Sequence, residues 1–303
     1  MIETLENEFW KLEIAPNVGA SIKSLSAMRG SSLEAIMRVT PDAALVGNSA
    51  SPFSSFTLAP FSNRIRDAKF VFEDREYQLK ATAKDGSTQH GDVRNRPWSV
   101  TRGEGTLECG IDSRDFADFN FPFPMRMKVI YVLKDNVFET QLQLENVGIT
   151  RMPAGFGLHP YFVRKLLGSN DVQLQFGAAG IYETDAGFIP TSGMKPIPKN
   201  YDFSRARFVD DTPINHVFGG WDGTARLEYD MPDAASKILK LEASEVFSHL
   251  CVYASPDGAL AVEPISHCTD GFNLLARGVE NTGVKVLEPG EKLSGRVRLS
   301  FQG

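Results

Sequence analysis

Apolar and polar side chains alternate with a period of two along much of this chain. Across 137–146, Phe138, Thr140, Leu142 and Leu144 fall on one side, and Glu139, Gln141, Gln143 and Glu145 on the other. That pattern predicts a strand with one buried face. The apolar run 129–133 precedes it across Lys134, Asp135 and Asn136, so the two read as a hairpin. Phe70 with Phe72, then Tyr77 with Leu79, flank the polar Glu73, Asp74 and Arg75 in the same way. Further strands are expected at 10–14, 172–176, 225–229, 238–241, 249–253, 260–263 and 296–301. Helical signals are thin: 113–118 and 204–209 suffice for single turns, and no amphipathic window of helix length recurs between strands. The pattern predicts an all-β, mainly antiparallel β-sandwich rather than alternating strands and helices.

Composition agrees with that reading. The chain has 303 residues, 42% of them hydrophobic with 21 phenylalanines, enough for a large core, while 26 glycines and 17 prolines interrupt it too often for a helical protein. No linker, repeat or low-complexity tract divides it, so a single domain over 1–303 is expected. The formal charge of -6 has both signs interspersed, which argues against nucleic acid and against a membrane surface as partner. Cys109, Cys251 and Cys268 are odd in number and lack the spacing of a zinc site or a disulfide framework, pointing to a reducing compartment. The opening residues are acidic where a secretion signal is basic, and no apolar run reaches membrane-spanning length. A cytoplasmic location follows as the expectation.

Candidate chemistry begins with two segments about a hundred residues apart: Gly155-Phe156-Gly157-Leu158-His159-Pro160-Tyr161-Phe162 and Leu260-Ala261-Val262-Glu263-Pro264. Each sets one titratable group among apolar residues, glycine and proline. A histidine and a glutamate held apart can protonate one atom while deprotonating another, and partial burial tunes both towards neutral pH. Such a pair suits the opening and reclosing of a sugar ring. Either group also fits a structural role, His159 as a core histidine bonded to backbone and Glu263 as a carboxylate paired with an arginine.

Other residues offer a similar choice. His90, in Thr88-Gln89-His90-Gly91-Asp92, is a loop histidine able to reach a ligand or to sit in solvent. Asn63-Arg64 could hold sugar hydroxyls, or Arg64 could form a surface ion pair. The 215–223 segment, with Asn215, His216, Trp221 and several glycines, has the mix found where a sugar stacks on an aromatic face, or it is a glycine-rich hairpin with a core tryptophan. His267 and Asn273 are expected to border the pocket of Glu263. His267 with Cys268 lacks the companions of a metal or thiol site, so no metal is expected.

Taken in order, these segments resemble the aldose 1-epimerases, or galactose mutarotases. The resemblance runs from Asn63-Arg64-Ile65 through Phe70 to Leu79, His90-Gly91, Trp98, His159-Pro160-Tyr161-Phe162, 215–218, Glu263-Pro264 and Asn273 to the closing Leu287-Glu288-Pro289-Gly290-Glu291. It covers nearly the whole chain. It implies that family's large β-sandwich and interconversion of the α and β anomers of a hexose without a cofactor, the partner being a small-molecule sugar. It also implies roles: Glu263 as the base on the anomeric hydroxyl, His159 as the acid on the ring oxygen, and His90 with Arg64 assisting there. Two departures bear on sugar preference. Asn215 stands where many mutarotases carry aspartate, and Asp92 stands where a second glycine is common. Two alternatives remain at this point: a hexose-6-phosphate 1-epimerase drawing on Arg64, Arg66, Arg94 and Arg96, and a non-catalytic sugar-binding protein on the same fold. The sequence leaves monomer against homodimer undecided.

Overall fold

A computed structural model describes residues 2–29, 32–209, 214–231 and 235–302. The alternating segment forms the strand Val137–Asn146, with the predicted residues Phe138, Thr140, Leu142 and Leu144 inward. It pairs antiparallel with Met125–Lys134 along the full length of both strands, so the predicted hairpin is longer on its first arm than the apolar run alone suggests. Its turn is the two residues Asp135 and Asn136, with Asp135 in the left-handed region at φ 51°. The second predicted hairpin, Lys69–Phe72 with Arg75–Gln78, closes on Glu73 and Asp74, both left-handed. Such turns match the right-handed twist of the strands they join.

These strands and their neighbours build three main sheets in which every recorded pairing is antiparallel. The largest has nine strands, in the order 99–103, 106–112, 125–134, 137–146, 292–302, 237–243, 224–229, 172–176 and 207–208. A seven-stranded sheet runs 180–181, 215–219, 249–254, 259–265, 157–158 and 57–58, with 161–163 also paired to 259–265. Strands from 3–6 to 32–35 form a four-stranded sheet. One apolar cluster joins all three, drawing Leu12 and Ile22 from the smallest, Val129, Leu142 and Leu241 from the largest, and Phe162, Leu250 and Val262 from the seven-stranded sheet. The all-β, mainly antiparallel sandwich is therefore observed.

Helix content differs in detail from expectation. The 113–118 signal becomes a single 3-10 turn, Ser113–Asp115. At 204–209 there is no helical turn; Arg207–Phe208 is instead an edge strand paired to 173–174, because a neighbouring strand satisfies its backbone better than one isolated turn could. The α-helix Gly271–Ala276 was not predicted. At six residues it is too short to show a period in the sequence. No helix among the described residues is long and apolar enough to cross a membrane.

Candidate active site

The strand Ala259–Ile265 is buried at all seven positions. Leu260 and Val262 enter the main core, while Ala259, Ala261 and Ile265 enter a second apolar cluster on the opposite face, with Phe56, Tyr161 and Cys251. Glu263 belongs by alternation to that second face. Only 2% of it is exposed, and it lines a cleft of about 350 Å³. Burial pushes its carboxyl up to about 8, opposed by a hydrogen bond from Cys251, which stands directly opposite it on strand His249–Ala254.

His159 reaches the cleft from the adjacent chain segment. Its N–H donates to the Phe56 carbonyl at 3.0 Å, and the Pro160 carbonyl accepts from Val262, so the chain passes from Gly157–Leu158 to Tyr161–Val163 while staying fastened to the buried strand. Proline holds the preceding residue extended. The imidazole lies between Phe56, at 4.7 Å between ring centroids, and Tyr161, at 4.5 Å. Its Nε2 is 3.3 Å from Glu263 Oε1 and 3.5 Å from the Tyr161 hydroxyl. Its Nδ1 is buried with no hydrogen-bond partner. Burial first, then the charges of Arg94 and Arg38, hold His159 well below the usual imidazole range.

His90 stands edge-on to His159, 5.2 Å between centroids. Its backbone is left-handed, at φ 65°, and donates to the Asn63 carbonyl, while its Nδ1 accepts from the Asn63 N–H at 3.1 Å. With Nδ1 an acceptor, the neutral ring carries its proton on Nε2 and is a donor there. Glycine follows of necessity: Gly91 is left-handed, and a Cβ on it would lie 1.8 Å from the Ala59 carbonyl oxygen. His90 is also held well below its usual range by burial and then by Arg94.

Glu263, His159, His90, Asn63, Arg64 and Asn215 thus converge on one cleft. Asn215 arrives on strand Asn215–Gly219, opposite Tyr253 in register, while His216 packs its ring on Tyr201 at 4.3 Å. Arg64 pairs with Asp85 at 3.0 Å beside the ring of Phe188. Trp221 and Asn273 do not line this cleft. The indole of Trp221 is buried, and its Nε1 donates to the Thr224 carbonyl within the short connection that carries the chain from the seven-stranded to the nine-stranded sheet. Asn273 ties the short helix to the neighbouring hairpin, bonding Val71 N–H, the Lys69 carbonyl and Asp270. His267 is likewise outside: its Nε2 accepts from Ser62 N–H and its Nδ1 donates to the Cys268 carbonyl. Asp92 turns its charge onto Arg96, at 2.7 Å, rather than into the cleft.

The walls also include Arg94, Tyr161, Tyr253 and Cys251. The last two were not foreseen as site residues, since only the register of two strands places them beside Asn215 and Glu263. Among the described residues, no three His, Cys, Asp or Glu side chains gather as a metal would require.

The arrangement can move protons in a concerted way. A protonated Glu263 beside a neutral His159 holds the same number of protons as a carboxylate beside an imidazolium. One transfer across 3.3 Å interconverts them, and burial favours the uncharged form until a polar substrate arrives.

The β-sandwich fold is shared with solved proteins. A galactose mutarotase-like protein from Clostridium acetobutylicum superposes with a TM-score of 0.86 at 20% identity, covering 100% of this chain and 98% of that one. The galactose 1-epimerase from Lactobacillus acidophilus NCFM superposes with a TM-score of 0.76 at 17% identity, covering 99% and 93%. In sequence, the uncharacterized protein YphB of Escherichia coli strain K12 is 24% identical over 261 residues, 84% of this chain and 85% of its own length. The profile of the aldose 1-epimerase family matches residues 4–300. The chain belongs to that family.

Proposed function

We infer that the protein is an aldose 1-epimerase, interconverting the α and β anomers of a hexose by acid/base catalysis. The observation that carries this reading is the His159–Glu263 pair, 3.3 Å apart in a cleft of about 350 Å³, a volume within the usual range for small-molecule sites.

The reaction balances on that pair. Proton transfer from Glu263 to His159 first gives carboxylate and imidazolium. Glu263 then takes the proton of the anomeric hydroxyl, whose oxygen becomes the carbonyl as the bond from C1 to the ring oxygen breaks. His159 Nε2 gives its proton to that ring oxygen, with His90 Nε2–H a second donor beside it. The aldehyde turns about the C1–C2 bond and the hydroxyl adds to its other face. His159 recovers its proton, and Glu263 returns one to the new anomeric oxygen. No atom is gained or lost, and holding the open chain in the cleft favours reclosure over escape.

The test is anomer exchange, measured by NMR saturation transfer on purified protein with free aldoses. Exchange above the spontaneous rate is the expected result. Sugar binding without accelerated exchange would reject the catalytic reading in favour of a sugar-binding protein on the same fold.

A further inference from the structure

Trp221 is too far from the cleft to stack on a sugar there, but the cleft has aromatic residues of its own. Phe56, Tyr161, Phe188 and Tyr253 all line it. Phe56 and Tyr161 are committed to His159, one on each side of its imidazole. Each also has a guanidinium against its ring, with Arg94 Cζ 5.4 Å from the centre of Phe56 and Arg38 Cζ 3.4 Å from that of Tyr161. Among the described residues, no ring stacks on Phe188 or on Tyr253. Tyr253 is half-buried, whereas Phe188 is 45% exposed. The nearest charge to the Phe188 ring is Arg64, its Cζ 5.7 Å from the ring centre.

The turn that presents Phe188 is tightly fastened. Thr184 and Pro190 bridge across it, the Asp185 N–H donates to the Ile189 carbonyl, and the Phe188 N–H donates to the Asp185 carbonyl, the last two at 3.0 Å. One oxygen of the Asp185 carboxylate accepts from the N–H groups of Gly187 and Ile189, and the other accepts from Arg66 at 2.6 Å. The turn is thereby tied to the segment that brings Asn63 and Arg64 into the cleft. Phe188 itself is left-handed, at φ 59°. A bulky side chain is strained in that conformation, whereas glycine and asparagine adopt it readily. For the fold alone, either of those residues would serve better at an exposed turn. A ring that is strained, exposed and pinned beside a polar cleft is accounted for once a ligand covers it.

We propose that Phe188 is the stacking platform of the cleft, covering the C–H face of a hexopyranose ring. This rests on the sugar cleft of the reading above and adds the residue that fixes which face of the sugar is held and how tightly. The C–H groups on a pyranose face are weakly positive and are attracted to the negative face of an aromatic ring. Contact also removes apolar surface of both partners from water. Asn63, Arg64 and Asn215 line the same cleft and are left to the hydroxyls at the edge of the sugar.

The experiment titrates glucose, galactose and mannose calorimetrically into the wild-type protein, Phe188→Asn and Phe188→Tyr, and measures anomer exchange on the same samples. Asparagine suits the left-handed backbone, so Phe188→Asn should unfold at a temperature no lower than the wild type. It should nevertheless raise Kd, and KM with it, by about tenfold or more for the sugar bound best. Phe188→Tyr, which keeps a ring, should recover most of that affinity. With the wild-type protein, intermolecular NOEs should connect the Phe188 ring protons to C–H protons of the bound sugar. A folded Phe188→Asn that binds every sugar as tightly as the wild type overturns the proposal, and leaves the epimerase reading intact if exchange is still accelerated. Binding that depends on Phe188 without accelerated exchange keeps the platform and rejects the epimerase reading. If Phe188→Asn fails to fold, the NOEs decide, and their absence with a sugar bound overturns the proposal. If the wild-type protein binds none of the three sugars, the platform is overturned as well.

Discussion

Two pairs of buried histidines lie in this molecule, and they are spent differently. His249 and His267 are each 1% exposed, and the protein itself occupies both ring nitrogens of each. His249 bonds the hydroxyls of Ser248 and Tyr182, and His267 bonds the Ser62 N–H and the Cys268 carbonyl. His90 and His159 are 6% and 5% exposed, hardly different in burial, yet Nδ1 of His159 has no partner and its Nε2 faces only a carboxylate and a distant hydroxyl. All four are depressed in the same direction by burial, His249 to about 3 and His267 to about 4. Depressed basicity therefore does not separate the histidines of the candidate cleft from the structural ones. Unspent hydrogen-bonding capacity facing a cavity does.

The contrast is easiest to break at its extremes. Glu263→Gln and His159→Ala should each lower the exchange rate by at least about a hundredfold, with folding retained as judged by circular dichroism. Near-normal turnover in either folded variant would place the chemistry elsewhere. His267→Ala should do the opposite, costing about 2–4 kcal/mol of stability in urea titration through a cavity and an orphaned Ser62 N–H. Its rate per folded molecule should stay within about threefold of wild type; a collapse of turnover there would erase the distinction between the two pairs.

A smaller effect sharpens the picture at the carboxylate. In the proposed mechanism the His159–Glu263 pair works with one shared proton, so exchange should hold through neutral pH and fall as pH rises past about 8, where Glu263 gives that proton up. On the acid side it should persist until His159, held well below its ordinary range, takes a second proton. Cys251→Ser replaces a weak thiol donor to Glu263 with a stronger hydroxyl. That favours the ionised carboxylate, so the alkaline limb should move to lower pH by less than about one unit. A limb displaced upward in the pH-rate profile would show that residue 251 does not act through Glu263.

How much of this was legible in the sequence depended on the local chain. His90, His159 and Glu263 stood out because glycine or proline follows each one, and for the two histidines that neighbour fastens the chain: Gly91 packs against the Ala59 carbonyl, and the Pro160 carbonyl accepts from Val262 of the buried strand. The strands of the largest sheet were visible for a different reason, since one face meets solvent and the alternation is clean. Strand 259–265 has no solvent face, so its apolar run identifies a strand without telling which side holds the cleft. Cys251 and Tyr253 become wall residues only through pairing with a distant segment. Trp221 and Asn273 were misplaced because an aromatic or an amide near glycine has the same composition in a connection between two sheets, or in a short helix, as at a sugar site.

The buried strand that carries Glu263 also has a consequence for motion. Its backbone is hydrogen-bonded on both edges and its side chains are packed on both faces, so its amides should be among the slowest in the molecule to exchange with deuterium, opening only when the whole fold opens. The proposed base has almost no freedom of its own. If the reaction is the proposed one, which turns one end of a sugar around, the turning belongs to the sugar, and the protein serves as the fixed frame against which it is done.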